Sequence, residues 1–168
     1  MSLLVLHNIT LPPGRFGTPY IADLFLNQLD ISADPWFVNV QGLKVSAHFM
    51  IDRLGHITQF VSCDDRAWHA GASSFEGREQ CKDFSIGIEL EGTDDQPFED
   101  RQYERLAALT QCLRARYPLA ARFAACRISP NVVRSPNHDP LRPRQRRHPP
   151  DEIRSGKLVE DSEKKSQQ

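Results

Sequence analysis

The sequence predicts an α/β domain with a mixed β-sheet flanked by helices, followed by a weakly structured C-terminal tail. Short apolar runs of strand length alternate with segments of helical period, and all periodicity stops after about residue 122. With 168 residues, 39% of them hydrophobic, and a formal net charge of −1, the chain can bury one real core. That charge gives no general attraction for nucleic acid.

Leu3 to Leu6 is an apolar run ending in a polar His-Asn pair, which predicts a buried strand delivering His7 at its C-terminal end. Pro12, Pro13 and Gly14 break the chain into a loop. Tyr20, Ile21, Leu24, Phe25 and Leu29 then recur at helical spacing after Thr18-Pro19, so Tyr20 to Leu29 reads as a short amphipathic helix. Lys44 to Ile51 alternates, and Gly55 leads into Ile57 to Val61, the pattern of a β-hairpin. Phe84 to Leu90 is another core strand, with Glu89 its one acidic residue before the turn at Gly92. From Glu99 to Tyr117 the residues Tyr103, Leu106, Ala107, Thr110, Leu113 and Tyr117 form the stripe of a long helix packed on a sheet, with Glu99 and Asp100 at its N-terminus.

Beyond about Arg122 the composition changes. Six prolines from Pro130 to Pro150 punctuate an arginine-rich stretch, and Glu160 to Gln168 is a charged run. Residues 1–130 are therefore assigned to the folded domain and 131–168 to a disordered tail, which has too little apolar surface to offset the entropy of ordering. The acidic residues Asp151, Glu152, Glu160 and Asp161 argue against reading its arginines as a nucleic-acid patch. The N-terminus has neither a charged n-region nor an apolar stretch of spanning length, which predicts a cytoplasmic chain without a membrane partner, and a monomer is expected. Cys63, Cys81, Cys112 and Cys126 lack CxxC spacing and read as reduced, mostly packed thiols.

Four collinear blocks carry a resemblance. They are Leu4 to Gly17 (LVLHNITLPPGRFG), Val45 to His48 (VSAH), Asp65 to Gly71 (DRAWHAG) and Asp83 to Asp94 (DFSIGIELEGTD). Over about residues 3 to 118 the chain closely resembles the cytoplasmic 1,6-anhydro-N-acetylmuramoyl-L-alanine amidases of the AmpD type. These are relatives of phage lysozyme-amidases and peptidoglycan-recognition proteins. The resemblance implies one catalytic Zn2+ and, as substrate, the lactyl-L-alanine amide of an anhydro-muropeptide or other peptidoglycan fragment. It places a zinc ligand at His7 and the catalytic glutamate at Glu89. An imidazole suits zinc because one ring nitrogen binds while the other is held by a neighbouring acceptor. A carboxylate near zinc-bound water, whose pKa falls to about 7, completes general base catalysis. Glu91 points the same way two positions on, so of the two carboxylates one is the base and the other a solvated or ion-paired strand residue. Trp68 and His69 match a cleft segment and are taken as substrate-lining and supporting residues, Asn8 as a substrate contact, and His48 as a packing residue.

The resemblance fails in the last third. Family members complete the site there with a Gly-His pair and a Lys-x-Asp-Pro stretch, supplying a second histidine ligand, a lysine for the oxyanion and an aspartate ligand. Ile128, Pro130 and Pro136 keep the register and set Ala125, Val133 and Ser135 at those three positions. His7 is then the one ligand in place, and His138 with Asp139 is the nearest substitute pair. Three readings follow: an amidase with impaired activity, a zinc-free muropeptide-binding or regulatory module, or a C-terminal segment translated out of frame.

Overall fold

The computed structural model describes residues 1–119 and the backbone of 123–125. In chain order it contains β1 (Leu3–Ile9), α1 (Tyr20–Phe25), β2 (Phe49–Ile51), β3 (Ile57–Gln59), β4 (Ser74–Phe75), β5 (Arg78–Glu79), β6 (Ser85–Glu91), α2 (Asp100–Arg116) and β7 (Phe123–Ala125). A five-stranded sheet runs in the order β3-β2-β6-β1-β7, and β4 pairs with β5 in a separate hairpin. β2, β6, β1 and β7 are parallel, whereas β3 returns antiparallel to β2, so the sheet is mixed as the sequence predicts.

The two central strands pair over their full lengths, from Leu3 opposite Ser85 to Ile9 opposite Glu91. Every residue of β6 is buried, as a strand covered on both faces requires. Residues paired across parallel strands share a face. On one face Leu4, Leu6, Ile86, Ile88 and Leu90, with Phe49 and Ile51, pack against Leu106 and Leu113 of α2. On the other, Leu3 and Val5 join Ala70, Cys81 and Phe84, while Ile9 joins Ile21, Leu24, Phe25, Phe37 and Val40. His7 lies on this second face, between those two apolar clusters.

Several boundaries differ from the sequence reading. β1 and β6 each run on past the apolar residues, so His7 and Glu89 sit two residues inside their strands instead of at the ends. α1 stops at Phe25, because Asn27 turns into the left-handed region at φ 58°. The hairpin strand begins only at Phe49. Ahead of it Ser46 binds the 66–70 segment: its amide donates to the Trp68 carbonyl at 3.2 Å and its hydroxyl accepts from the Trp68 amide at 3.1 Å.

The buried face of α2 is rotated from the expected stripe. Tyr103 is 39% exposed and Ala107 is also exposed, while Gln102 is fully buried beside Leu106 and Leu113. Gln102 belongs there because all of its amide is used. Its oxygen accepts from the Glu99 amide at 3.0 Å, closing the helix N-terminus, and its nitrogen donates to the carbonyls of Ile51 and Glu91 at 3.1 and 3.0 Å. Cys63 and Cys81 are buried free thiols and Cys112 is exposed; Cys126 and the expected tail, residues 131–168, lie outside the described residues. No helix among the described residues is long and apolar enough to cross a membrane.

Candidate active site

The parallel register sets His7 directly opposite Glu89, with Met50 of β2 on the far side of Glu89, so all three side chains leave one face. His7 is 3% exposed and Glu89 is fully buried. Neither carboxylate oxygen of Glu89 has a hydrogen-bond partner among the described residues. Burial, which disfavours the charged form, pushes its carboxyl well above the ordinary 4.5.

Glu91 lies on the same face and is equally buried, but it is fully engaged. One oxygen accepts from the Gly17 amide at 2.6 Å and the other from the Arg53 amide at 3.1 Å. The two carboxylates, which share a face and which the resemblance alone distinguishes in the sequence, differ in their bonding. Glu91 ties two loops to the sheet, and Glu89 makes no such bond among the described residues.

A cluster of imidazoles backs His7. His69 Nδ1 lies 3.0 Å from His7 Nε2, and the His69 ring stands edge-on to the rings of both His7 and His48. Burial lowers the pKa of His69 to about 3, helped by repulsion from His7, His48 and Lys82 and opposed by a hydrogen bond to the Ser85 main chain. It is a neutral ring. His48 is bound at both nitrogens by backbone: Nδ1 accepts from the Gly87 amide at 2.9 Å and Nε2 donates to the Asp65 carbonyl at 3.1 Å. That is the packing role the sequence reading gave it.

His69 fits only because residue 87 is glycine. A Cβ there would stand 2.3 Å from His69 Cγ and 2.5 Å from its Nδ1. The ring cannot retreat without losing its bonds, so Gly87→Ala is expected to destabilise the fold by about 1–3 kcal/mol, the usual cost of overpacking a core. Urea unfolding measures it, and an unchanged midpoint would show that the ring is not held.

The remaining expected site residues are placed less uniformly. Trp68 is 52% exposed, flanked by Arg66 at 4.8 Å and Lys82 at 5.7 Å from its ring centroid, and presents a free apolar surface. His69, expected to line the substrate cleft, is instead 1% exposed behind His7, in the supporting half of its expected role. Asn8 is half-buried and its amide nitrogen donates to Asp94 at 3.0 Å, which ties the end of β1 to the loop after β6.

The described residues do not fit a complete zinc site. His7 supplies one donor, and no group of three or more His, Cys, Asp or Glu that could hold a metal occurs among the described residues. The β7 backbone pairs Ala125 with Leu6, one register position short of His7, and its residue type brings no donor. Val133, Ser135, His138 and Asp139 lie outside the described residues.

An imidazole and a buried carboxyl with no hydrogen-bond partner among the described residues stand opposed on the central strands of a mixed sheet. The chain belongs to the N-acetylmuramoyl-L-alanine amidase family, whose model matches residues 1–150. Among its relatives, the 1,6-anhydro-N-acetylmuramyl-L-alanine amidase AmpD of Citrobacter freundii is 53% identical over 137 residues, covering 80% of this chain and 73% of that one. The AmpD of Escherichia coli K12 is 51% identical over 137 residues, covering 80% and 75%. A crystal structure of a selenomethionine AmpD derivative superposes with a TM-score of 0.72 at 55% identity, over 74% of this chain and 70% of the other.

Proposed function

We propose that this chain hydrolyses the amide between the lactyl group of 1,6-anhydro-N-acetylmuramic acid and L-alanine in soluble cell-wall fragments, as a cytoplasmic recycling enzyme. Glu89 carries the reading: a buried carboxyl with no hydrogen-bond partner among the described residues, held opposite His7, suits proton transfer. In the reaction the carbon–nitrogen bond breaks and a carbon–oxygen bond to water forms. The departing alanine nitrogen takes a proton from the Glu89 carboxyl, and the carboxylate left behind recovers one from the attacking water. Burial, which raises its pKa, favours the donating half of that cycle. Trp68 offers an apolar platform and Asn8 a polar edge to the fragment.

Zinc, when bound, would polarise the amide carbonyl and acidify water, with His7 as one of its ligands. The other donors must come from outside the described residues or from the substrate. The test combines metal analysis of the purified full chain with release of free peptide from anhydro-muropeptide, for the wild type and His7→Ala. The proposal expects zinc-dependent release that His7→Ala abolishes. Muropeptide binding without release at any zinc concentration would replace the enzyme with a binding module.

A further inference from the structure

Trp68 projects between two buried neighbours: Ala67 and His69 are inside, while Trp68 is half exposed. Both peptide groups that meet at its Cα are held by one residue. The Ser46 amide donates to the Trp68 carbonyl at 3.2 Å, and the Trp68 amide donates to Ser46 Oγ at 3.1 Å. Fixing the planes on either side of a residue fixes its φ and ψ, and with them the direction of its Cα–Cβ bond. Ser46 is itself anchored, because Ala47 is fully buried and the His48 amide donates to the Gly87 carbonyl of β6 at 3.0 Å. Arg66 steadies the indole further: it lies 4.8 Å from the ring centroid, and its Nε donates to Asp83 at 2.7 Å. The hydroxyl bond is at the surface, where water can replace it, so it adds little to the stability of the fold. What it sets is where Trp68 points.

We propose that Ser46 is a positioning residue that presets the Trp68 indole for the muramoyl-peptide fragment. A ligand that packs on a side chain whose backbone is already fixed does not have to order it, and that ordering otherwise costs affinity. The hydroxyl matters more here than the backbone bond. Any residue at position 46 except proline keeps the amide that reaches the Trp68 carbonyl, whereas the acceptor of the Trp68 amide belongs to the serine side chain. The effect on affinity rests on the platform role proposed for Trp68, whereas the hold on the Trp68 backbone does not.

The experiment measures anhydro-muropeptide binding by calorimetry for Ser46→Ala, Trp68→Ala and the double variant, each in the full chain carrying Glu89→Gln so that the fragment stays whole. Amide hydrogen exchange at Trp68 is followed alongside. Ser46→Ala should weaken binding by about 3- to 10-fold, the worth of one net hydrogen bond. It should also speed exchange of the Trp68 amide and leave the melting temperature where it was. Ser46→Thr, which returns the hydroxyl, should restore both affinity and protection. In Trp68→Ala the loss of the hydroxyl should cost no further affinity, because no indole is left to orient. Equal losses with and without the indole overturn the inference, as does unchanged Trp68 exchange in Ser46→Ala. If Trp68→Ala binds the fragment as tightly as its parent, the platform role fails and this inference with it, while peptide release by the wild type would keep the proposed activity. Coupled losses in a chain whose wild type releases no peptide would leave this inference standing and end that activity alone.

Discussion

Glu89→Gln lowers peptide release by about 10²–10⁴-fold, the range for losing a positioned general acid–base group, under zinc conditions in which the wild type turns over. The amide keeps the shape of the acid and can neither take up nor deliver the proton. Binding of the fragment, measured by calorimetry, should change little. The same variant has an opposite effect on stability. The unfolded chain titrates this carboxyl near the ordinary 4.5, while the folded chain holds it well above. Its contribution to stability is thus fully present below about pH 4.5 and is lost as pH rises through the folded value, because only the unfolded state then releases the proton freely. Glutamine has no such loss. In chelator-treated protein the melting temperature of Glu89→Gln should pull ahead of the wild type between pH 5 and 8 and not below; parallel curves would mean that Glu89 is ionised and paired in the folded chain.

The difference between Glu89 and Glu91 also marks the limit of what sequence can show. Both stand in one alternating strand and on one face, so periodicity treats them alike. The four blocks distinguish them only by likeness to a family. Physically they part because the backbone amides of Gly17 and Arg53, distant in the chain, converge on one and not on the other. The sheet itself was readable, since β1 and β6 are near-continuous apolar runs and α2 has a clear period. The rotation of α2 was not, because Gln102 is polar and its burial depends on two carbonyls from other strands. His69 was legible as part of a cleft segment, but its place behind His7 depends on Gly87 and on the bonds joining Ser46 to Trp68. Ala125 shows the reverse case: its residue type already excluded a ligand, and the register adds only that β7 reaches Leu6 there.

Glu91→Ala should be the most damaging of these changes to the fold. It strips the acceptor from two backbone amides held against a side chain only 1% exposed, and hydrogen bonds to a charged acceptor contribute about 1.5–3 kcal/mol each. A loss of about 2–4 kcal/mol is expected, allowing for partial rescue by water. The damage spreads because each amide belongs to a larger contact. Arg53 donates through its guanidinium to the Pro97 carbonyl and to Glu99 and lies 4.8 Å over the Phe16 ring, so the loops around residues 16, 53 and 97 share this one anchor. Glu91→Gln retains one acceptor oxygen and should recover part of the stability, whereas Glu89→Gln should cost none. Denaturant midpoints for the three variants check the ordering. If Glu91→Ala stayed within about 0.5 kcal/mol of the wild type, as an ordinary surface substitution does, Glu91 would not be the anchor, and the separation of the two carboxylates into a structural and a catalytic one would fail with it.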